Sequence, residues 1–291
     1  MFILRKKKIK YGIKQTTIYA LVAAVVISVL APYLWLIYSS LNSKNALIAV
    51  PFKWNWDLTL DNYIKIFMGT SNSTTDTASQ FKYAMMNSLI VSLSVTVISL
   101  LVGVIAAYSF ARLNFKGKKP LFYISLITQM IPPIALIIPF YLIMLNLEIN
   151  DSKLSLILIN LSLSLPFVLW IMKGYLTNIP EELEESARMD GCTRLQSFIK
   201  IILPLAAPGL AATTIFVFII SWNEFFYAMN FTTTIASKTM PVIISEFSSK
   251  FGFDFVMAST AGVIASLPPV ILSLVFQKYI ISGLSSGAVK G

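Results

Sequence analysis

Six long stretches of this sequence contain no Asp, Glu, Lys or Arg, and they constrain the fold more than any other feature. They cover residues 15–43, 83–111, 120–147, 154–172, 201–223 and 255–277. A helix needs about 20 mostly apolar residues to cross a bilayer, whereas the strands of a membrane barrel alternate over about ten residues. The sequence therefore predicts an all-α integral membrane protein with six transmembrane helices.

The composition agrees, because 56% hydrophobic and 12% charged residues cannot cover a water-facing surface. The first apolar stretch is too long for a cleaved signal peptide, so we expect it to be retained. The predicted organisation is a cytoplasmic basic segment, 1–14, followed by one transmembrane domain, 15–291. We expect the spans at about 15–41, 83–111, 120–147, 154–173, 205–229 and 255–279, with a charged loop at about 174–204.

The positive charges are sorted along the chain. Most of the 23 Lys and Arg residues fall in segments that share one side of a six-span topology. The positive-inside rule then places both termini in the cytosol. A net charge of +10 could suggest a nucleic-acid partner, but sorting by topology rather than clustering on one face argues against it. The predicted location is the bacterial plasma membrane, with lipid as the surrounding partner.

Several chemistries are disfavoured. The chain has no histidine and one cysteine, Cys192, which removes the usual general base, proton relay and metal ligand. A phosphate-binding loop of the form G-x-x-x-x-G-K-[ST] is also missing. We therefore expect no catalytic residue, no metal and no bound nucleotide in this chain.

The charged loop predicts a hairpin of two helices. Pro180 suits the first turn of a helix whose acidic start favours the helix dipole, and this helix should run to about Asp190. Gly191 should end it. Thr193 and Gln196 have the spacing of a capping box for a second helix. The apolar face of that helix is predicted to consist of Leu195, Phe198, Ile199 and Ile202.

The spacing inside this hairpin resembles a known signature. Glu185-Ser186-Ala187, three residues, Gly191, nine residues, Ile201, one residue and Leu203-Pro204 match the E-A-A, x3, G, x9, I, x, L-P motif, except that serine replaces the first alanine. The motif is that of ABC importer permeases. Trp222-Asn223-Glu224-Phe225 and the final Gly-Ala-Val-Lys-Gly resemble the carbohydrate, MalG-like branch of that family.

This resemblance implies a type I importer permease fold with a cytoplasmic coupling helix. The implied partners are a second homologous permease, two ATP-binding cassette subunits that hold ATP and Mg, and an extracellular or periplasmic solute-binding protein. Two sets of residues are implied to face the ATPase. The coupling set is Glu185, Ser186, Ala187, Asp190 and Gly191, and the C-terminal set is Val289, Lys290 and Gly291.

Prolines inside the apolar stretches predict bent or locally unwound helices, and broken helices often line a transport pathway. The predicted pathway residues are Gln129, Pro132, Asn160, Pro166, Asn223, Glu224 and Pro268. Glu224 has two open interpretations. It is either a solvated helix end near the outer surface, or an outer gate or a contact to the binding protein.

Other functions remain as alternatives. An ion-coupled secondary transporter would also have six spans, but mid-membrane acids and histidines for a proton relay are missing. An intramembrane enzyme would need a nucleophile with a positioned base. An importer permease for a non-sugar solute is the third alternative. The aromatic segment between Lys44 and Lys82 is either an interfacial helix or a surface that receives a partner.

Overall fold

A computed structural model describes residues 2–51, 53–68, 77–249 and 252–288, and nearly all of them are helical. The major helices are α1 (Phe2–Ser40), α2 (Lys44–Leu47), α3 (Asp61–Met68), α4 (Thr77–Arg112), α5 (Lys118–Ile127), α6 (Pro133–Asn146) and α7 (Lys153–Thr177). They continue as α8 (Glu182–Met189), α9 (Arg194–Ser197), α10 (Leu203–Leu205), α11 (Ala207–Trp222), α12 (Phe226–Phe231), α13 (Met240–Glu246) and α14 (Phe255–Ala288). Two short strands, β1 (Ser248–Ser249) and β2 (Gly252–Phe253), pair antiparallel.

The described residues contain five helical stretches long and apolar enough to span a membrane, and a bent pair of helices provides a sixth. The five are Lys14–Ser40, Ser79–Arg112, Lys153–Thr177, Ala207–Phe231 and Phe255–Tyr279, and the pair is Lys118–Met130 with Pro133–Asn146. The predicted all-helical membrane fold is confirmed. α1 begins at Phe2 and so includes most of the basic segment 1–14, whose cytoplasmic location stays a prediction.

The bend in the third span is the largest departure from straight helices. A 3-10 turn, Thr128–Met130, ends α5, and the two arms meet at 101°. Pro133 cannot donate a backbone hydrogen bond and forces Pro132 into an extended conformation, with ψ of 132°. α7 and α14 continue as helix through Pro166 and Pro268, so neither helix is unwound there, and a bend at these prolines stays a prediction.

The chain divides into two compact units, residues 1–79 with 247–264 and residues 80–246 with 265–291. In the first unit, the segment after α1 folds back on the end of that helix. The Tyr38 hydroxyl donates to the Asn55 carbonyl and accepts from the Asn55 amide, at 3.1 and 2.9 Å. The Asn62 side chain donates to the carbonyls of Ser40 and Asn42. These bonds fix the start of α3, where the Thr59 hydroxyl accepts from the Asp61 amide at 3.1 Å.

The second unit has two distinguishable ends. At one end, Arg112 at the close of α4 contacts Glu181 and Glu184 beyond the end of α7. At the other, the Asn87 side chain near the start of α4 donates to the carbonyls of Ile235 and Lys238. The loop between α6 and α7 reaches the same segment, because Asp151 accepts from Thr233 and Thr234. We call these the Arg112 end and the Asp151 end.

These contacts determine how the bent pair runs. α5 begins six residues after Arg112, and Phe122 in its first turns lies under the Lys173 ammonium, 3.7 Å from the ring centre. α6 leads to Asp151 at the opposite end. The two arms together therefore cross the unit once, as a single broken span, and the number of crossings in the predicted topology is preserved. Which end faces the cytosol stays a prediction from the positive-inside rule.

Two glycines of this unit lie in close contact with α7. A Cβ at Gly103 of α4 would lie 2.6 Å from Val168 Cγ1 of α7. A Cβ at Gly209 of α11 would collide with the ring of Tyr175, also in α7. Small residues let membrane helices approach this closely. α7 is therefore held between α4 and α11, and its buried side chains form much of the apolar core.

Candidate functional site

The charged hairpin, residues 182–205, is built around a left-handed turn. α8 ends in a Schellman motif, in which the Cys192 amide donates to the Ala187 carbonyl at 3.0 Å and the Gly191 amide donates to the Arg188 carbonyl at 3.1 Å. Gly191 has φ of +91°, where a residue with a side chain is strained. A Cβ there would meet nothing within 4 Å. The glycine is therefore required by the backbone rather than by packing within this chain.

The second half of the hairpin begins with the predicted capping box. The Thr193 side chain accepts from the Gln196 amide, and the Gln196 side chain accepts from the Thr193 amide, at 3.3 and 2.8 Å. A π-helical turn, Phe198–Ile202, follows α9. Phe198 and Ile202 are buried in the core. The predicted apolar face is thus only half covered, because Leu195 and Ile199 are exposed.

A buried polar cluster fastens α8 to α4. The Glu184 side chain is 9% exposed, accepts a hydrogen bond from the Tyr108 hydroxyl and lies 3.5 Å from Arg112 Nε. Arg112 also pairs with Glu181 at 3.2 Å and donates to the Ile179 carbonyl. Removing one member of a buried pair leaves an uncompensated charge and costs about 3–5 kcal/mol. Movement of α8 should therefore carry the end of α4 with it.

Sequence reasoning did not identify this cluster. Glu184 and Ala187 lie three residues apart and share the buried face of α8, so the apolar Ala187 was a signal that its neighbour on that face is also buried. Arg112 closes the second apolar stretch, which placed it at the membrane boundary. Nothing local in the sequence connected Arg112 with Glu184.

The predicted coupling residues divide into two groups. Glu185, Ser186, Asp190 and Gly191 are exposed at the hairpin tip. Ala187 is only 6% exposed and packs inside its own chain. The small Ala187 side chain fits the contact beneath α8, and its implied contact with the ATPase stays a prediction.

The predicted pathway residues of the third and fourth spans differ in environment. Gln129 is exposed next to the bend, and its side chain donates to the Leu163 carbonyl at 2.8 Å. Pro132 is exposed at the bend itself. Asn160 is 2% exposed, and its amide is already bonded to the Leu156 carbonyl of its own helix. Asn160 is therefore packed in this conformation, and a role in the pathway stays a prediction.

The later pathway residues lie at a break and within a helix. Asn223 and Glu224 separate α11 from α12, and the Glu224 carboxylate accepts from the amides of Tyr227 and Ala228 at 2.7 and 3.0 Å. Glu224 thus caps α12, which supports a structural role at this helix end. Pro166 and Pro268 are half-buried inside their helices. The C-terminal set Val289, Lys290 and Gly291 lies outside the described residues.

Asp151 organises the opposite end of the unit. Its backbone has φ of +51°, and its carboxylate accepts hydrogen bonds from the Ser237 hydroxyl, the Thr233 amide and hydroxyl, and the Thr234 amide. Burial raises the pKa of this carboxyl, but these hydrogen bonds outweigh burial and lower the pKa well below its usual range. The nearby Lys153 ammonium donates to the Ala236 carbonyl. The segment from 233 to 238 is therefore fixed to the start of α7.

In the part of the chain that the structure describes, no group of three or more His, Cys, Asp and Glu side chains is placed to hold a metal ion. The site consists of a helix hairpin that stands at one end of a membrane-spanning bundle and is fastened to it by buried charges. A fold and site of this kind define a membrane permease subunit.

Comparison with known proteins identifies the family. The chain belongs to the family described as binding-protein-dependent transport system inner membrane component, which matches residues 99–286. It is therefore a multi-pass permease subunit of the bacterial inner membrane, and the predicted resemblance is confirmed. The matched region includes the whole charged hairpin.

Named relatives cover almost the whole chain. It is 35% identical over 286 residues to the trehalose transport system permease protein SugB of Mycobacterium tuberculosis, covering 96% of this chain and 100% of that one. It is 34% identical over 278 residues to the trehalose/maltose transport system permease protein MalG of Thermococcus litoralis, covering 93% and 96%.

The fold also has a solved counterpart. A chain of a bacterial ABC transporter involved in the import of the acidic polysaccharide alginate has a TM-score of 0.71 and 22% identity, with 93% of this chain and 96% of that chain covered. At this identity the match establishes the fold alone. It agrees with the expectation of an importer permease fold.

Proposed function

We propose that this chain is one transmembrane subunit of an ATP-driven importer for a sugar or oligosaccharide. The observation that carries the proposal is its similarity, along nearly the full length, to permeases named for trehalose and maltose. A further relative, 32% identical over 93% of this chain, is a diacetylchitobiose uptake system permease of Streptomyces coelicolor. The shared chemistry of these cargoes is a hydroxyl-rich ring.

The proposed complex contains a second permease, two ATP-binding subunits and a solute-binding protein. ATP and Mg would bind the ATPase subunits, since no phosphate-binding loop occurs here. The charged hairpin would enter a cleft in the ATPase through its exposed tip, where Glu185 can accept charge-assisted hydrogen bonds. The tail residues Val289, Lys290 and Gly291 would face the same partner.

Coupling would then pass through the buried cluster. When the ATPase dimer closes, it would displace α8, and Glu184 would transmit the displacement to Arg112 and Tyr108 at the end of α4. The contact of α4 with α7 at Gly103 extends this route into the bundle. The displacement would in this way reach the transport pathway near Gln129 and the bend at Pro132.

The test is reconstitution of the complete transporter in vesicles with its binding protein. A panel of sugars, including trehalose, maltose and diacetylchitobiose, is first screened by the thermal shift of the binding protein. We expect one sugar-loaded form to stimulate ATP hydrolysis and to drive uptake. The permease chain purified without its partners should hydrolyse no ATP.

Two results would overturn the proposal. If only a binding protein loaded with a non-sugar solute stimulated ATP hydrolysis, the cargo would not be a carbohydrate, although the coupling mechanism would still hold. Uptake driven by a proton or sodium gradient without ATP would favour the ion-coupled alternative.

A further inference from the structure

An apolar groove of about 700 Å³ opens between α4 and the second half of the charged hairpin. Its apolar walls remain uncovered within the described chain, because Leu101, Ile105 and Leu195 are 63%, 59% and 65% exposed. The hairpin wall of the groove includes Leu195 and Ile199, the two exposed residues of the apolar face that begins at α9. Lipid tails are as apolar as these side chains, so an apolar occupant such as an acyl chain is expected.

The length and place of the groove match one leaflet of a bilayer. One wall follows α4 from Leu100 to Ser109, which is roughly 14 Å along a helix axis, and ends at Leu113 just beyond α4. The hydrocarbon of a single leaflet is about 15 Å deep. Leu113 follows Arg112 at the end that carries the basic loops, so the groove lies in the cytoplasmic leaflet of the predicted orientation.

The rim of the groove is positively charged. Arg194 lines it and is exposed, and its guanidinium forms no hydrogen bond or ion pair with the residues that the structure describes. Lys116, Lys118 and Lys119 follow Leu113 in the adjoining loop. A guanidinium matches the geometry of a phosphate group, and basic residues at this surface attract anionic lipids. An apolar trough with a cationic rim is complementary to a phospholipid.

We propose that this groove binds an anionic phospholipid, with an acyl chain along Leu101 and Ile105 and the phosphate on Arg194. The proposal depends on the chain spanning the membrane and goes beyond the proposed sugar transport. The lipid would also contact Tyr108 and Phe198, whose ring centres are 4.6 Å apart. Because Tyr108 holds Glu184, the lipid would brace the contact between α4 and the hairpin, and coupling would depend on anionic lipid.

The first experiment measures lipid retention. The complete transporter is placed in nanodiscs of phosphatidylcholine with and without phosphatidylglycerol, and native mass spectrometry counts the phosphatidylglycerol that stays bound. Arg194→Gln should lower retention about fivefold, the effect of one basic residue at such a surface. Lys200→Gln removes the same charge from the same segment but lies outside the groove lining. This control variant should leave phosphatidylglycerol retention unchanged. Equal losses in both variants, or none with Arg194→Gln, would overturn the proposal.

The second experiment distinguishes lipid from a protein occupant. Ile105→Trp fills the groove without changing its charge, and it should displace phosphatidylglycerol while the transporter stays assembled. Phosphatidylglycerol should raise the ATPase stimulated by the binding protein in the wild type but not in Arg194→Gln. If Ile105→Trp instead releases another subunit and leaves lipid retention unchanged, the groove is a protein interface and the proposal is wrong.

Discussion

Gly191 is the one residue of the hairpin with a left-handed backbone. Its φ of +91° strains any residue with a side chain, while the surrounding space is open. A substitution there therefore changes the direction of the tip without disturbing packed neighbours. This separates an effect on coupling from an effect on the core.

We expect Gly191→Val to cost on the order of 1 kcal/mol or more through the backbone. Membrane abundance should stay near normal, while uptake and ATPase stimulation fall strongly. Gly191→Asn, which tolerates the left-handed region, should retain more activity. Gly174→Val is the matched control, because this exposed glycine has open space and an ordinary φ. Normal uptake by Gly191→Val at normal abundance would remove the hairpin from the coupling route.

Asp151 predicts a pH dependence at the opposite end. Its folded-state pKa lies below the ordinary value of 3.8, so the ionised carboxylate stabilises the fold above about pH 4 and loses this effect as the pH falls further. Asp151→Asn keeps the backbone preference but removes the charge. The difference in thermal midpoint between wild type and variant should be largest near neutral pH and shrink below about pH 4. A constant difference would contradict this assignment, and the exposed Asp57→Asn serves as the control.

At the scale of elements, the cluster of Arg112, Glu184 and Tyr108 determines whether α8 and α4 behave as one body. Glu184 lies 72 positions from Arg112 and 76 from Tyr108 in the sequence. The turn motifs inside the hairpin are local, whereas this connection exists only in the folded bundle. Its strength is measurable through paired substitutions.

Glu184→Ala should lower the thermal midpoint substantially, because it leaves Arg112 buried with only the exposed Glu181 as an ionic partner, at a cost of about 3–5 kcal/mol. The double variant Arg112→Leu with Glu184→Leu should recover part of the loss, since no charge remains buried. It should nevertheless transmit ATPase stimulation poorly. Glu182→Ala, on the exposed side of α8, should change neither property. A loss in the double variant equal to the sum of the losses in Arg112→Leu and Glu184→Leu alone would show that the two residues do not interact.

At the scale of the whole molecule, the broken third span determines the topology. We expect Lys116→Cys and Glu148→Cys, made in a Cys192→Ser background, to react with an impermeant maleimide from opposite sides of the membrane. The cytosolic side should label position 116. If both positions react from the same side, α5 and α6 form a re-entrant loop and the sixth span is lost. A tag near Thr74, which lies outside the described residues, tests the first outside segment.

Much of this architecture could be predicted from the sequence because its causes are local. The apolar stretches, the turn at Gly191 and the capping box of Thr193 and Gln196 each depend on residues a few positions apart. The burial of Ala187, the packing of Asn160 and the pairing of Arg112 with Glu184 depend on which helices become neighbours. A sequence pattern does not specify those neighbours, so these features became visible only in the structure.

The two glycine contacts of α7 have a consequence for how this chain can evolve. At Gly103 the atoms that a new methyl group would meet belong to the branched side chain of Val168, which has little rotamer freedom in a helix. An alanine at position 103 would become acceptable only after Val168 had shrunk. Gly209 stands in the same relation to the ring of Tyr175. The two residues of each pair should therefore change together during evolution. The order of the two changes should affect the stability of the fold more than either change alone.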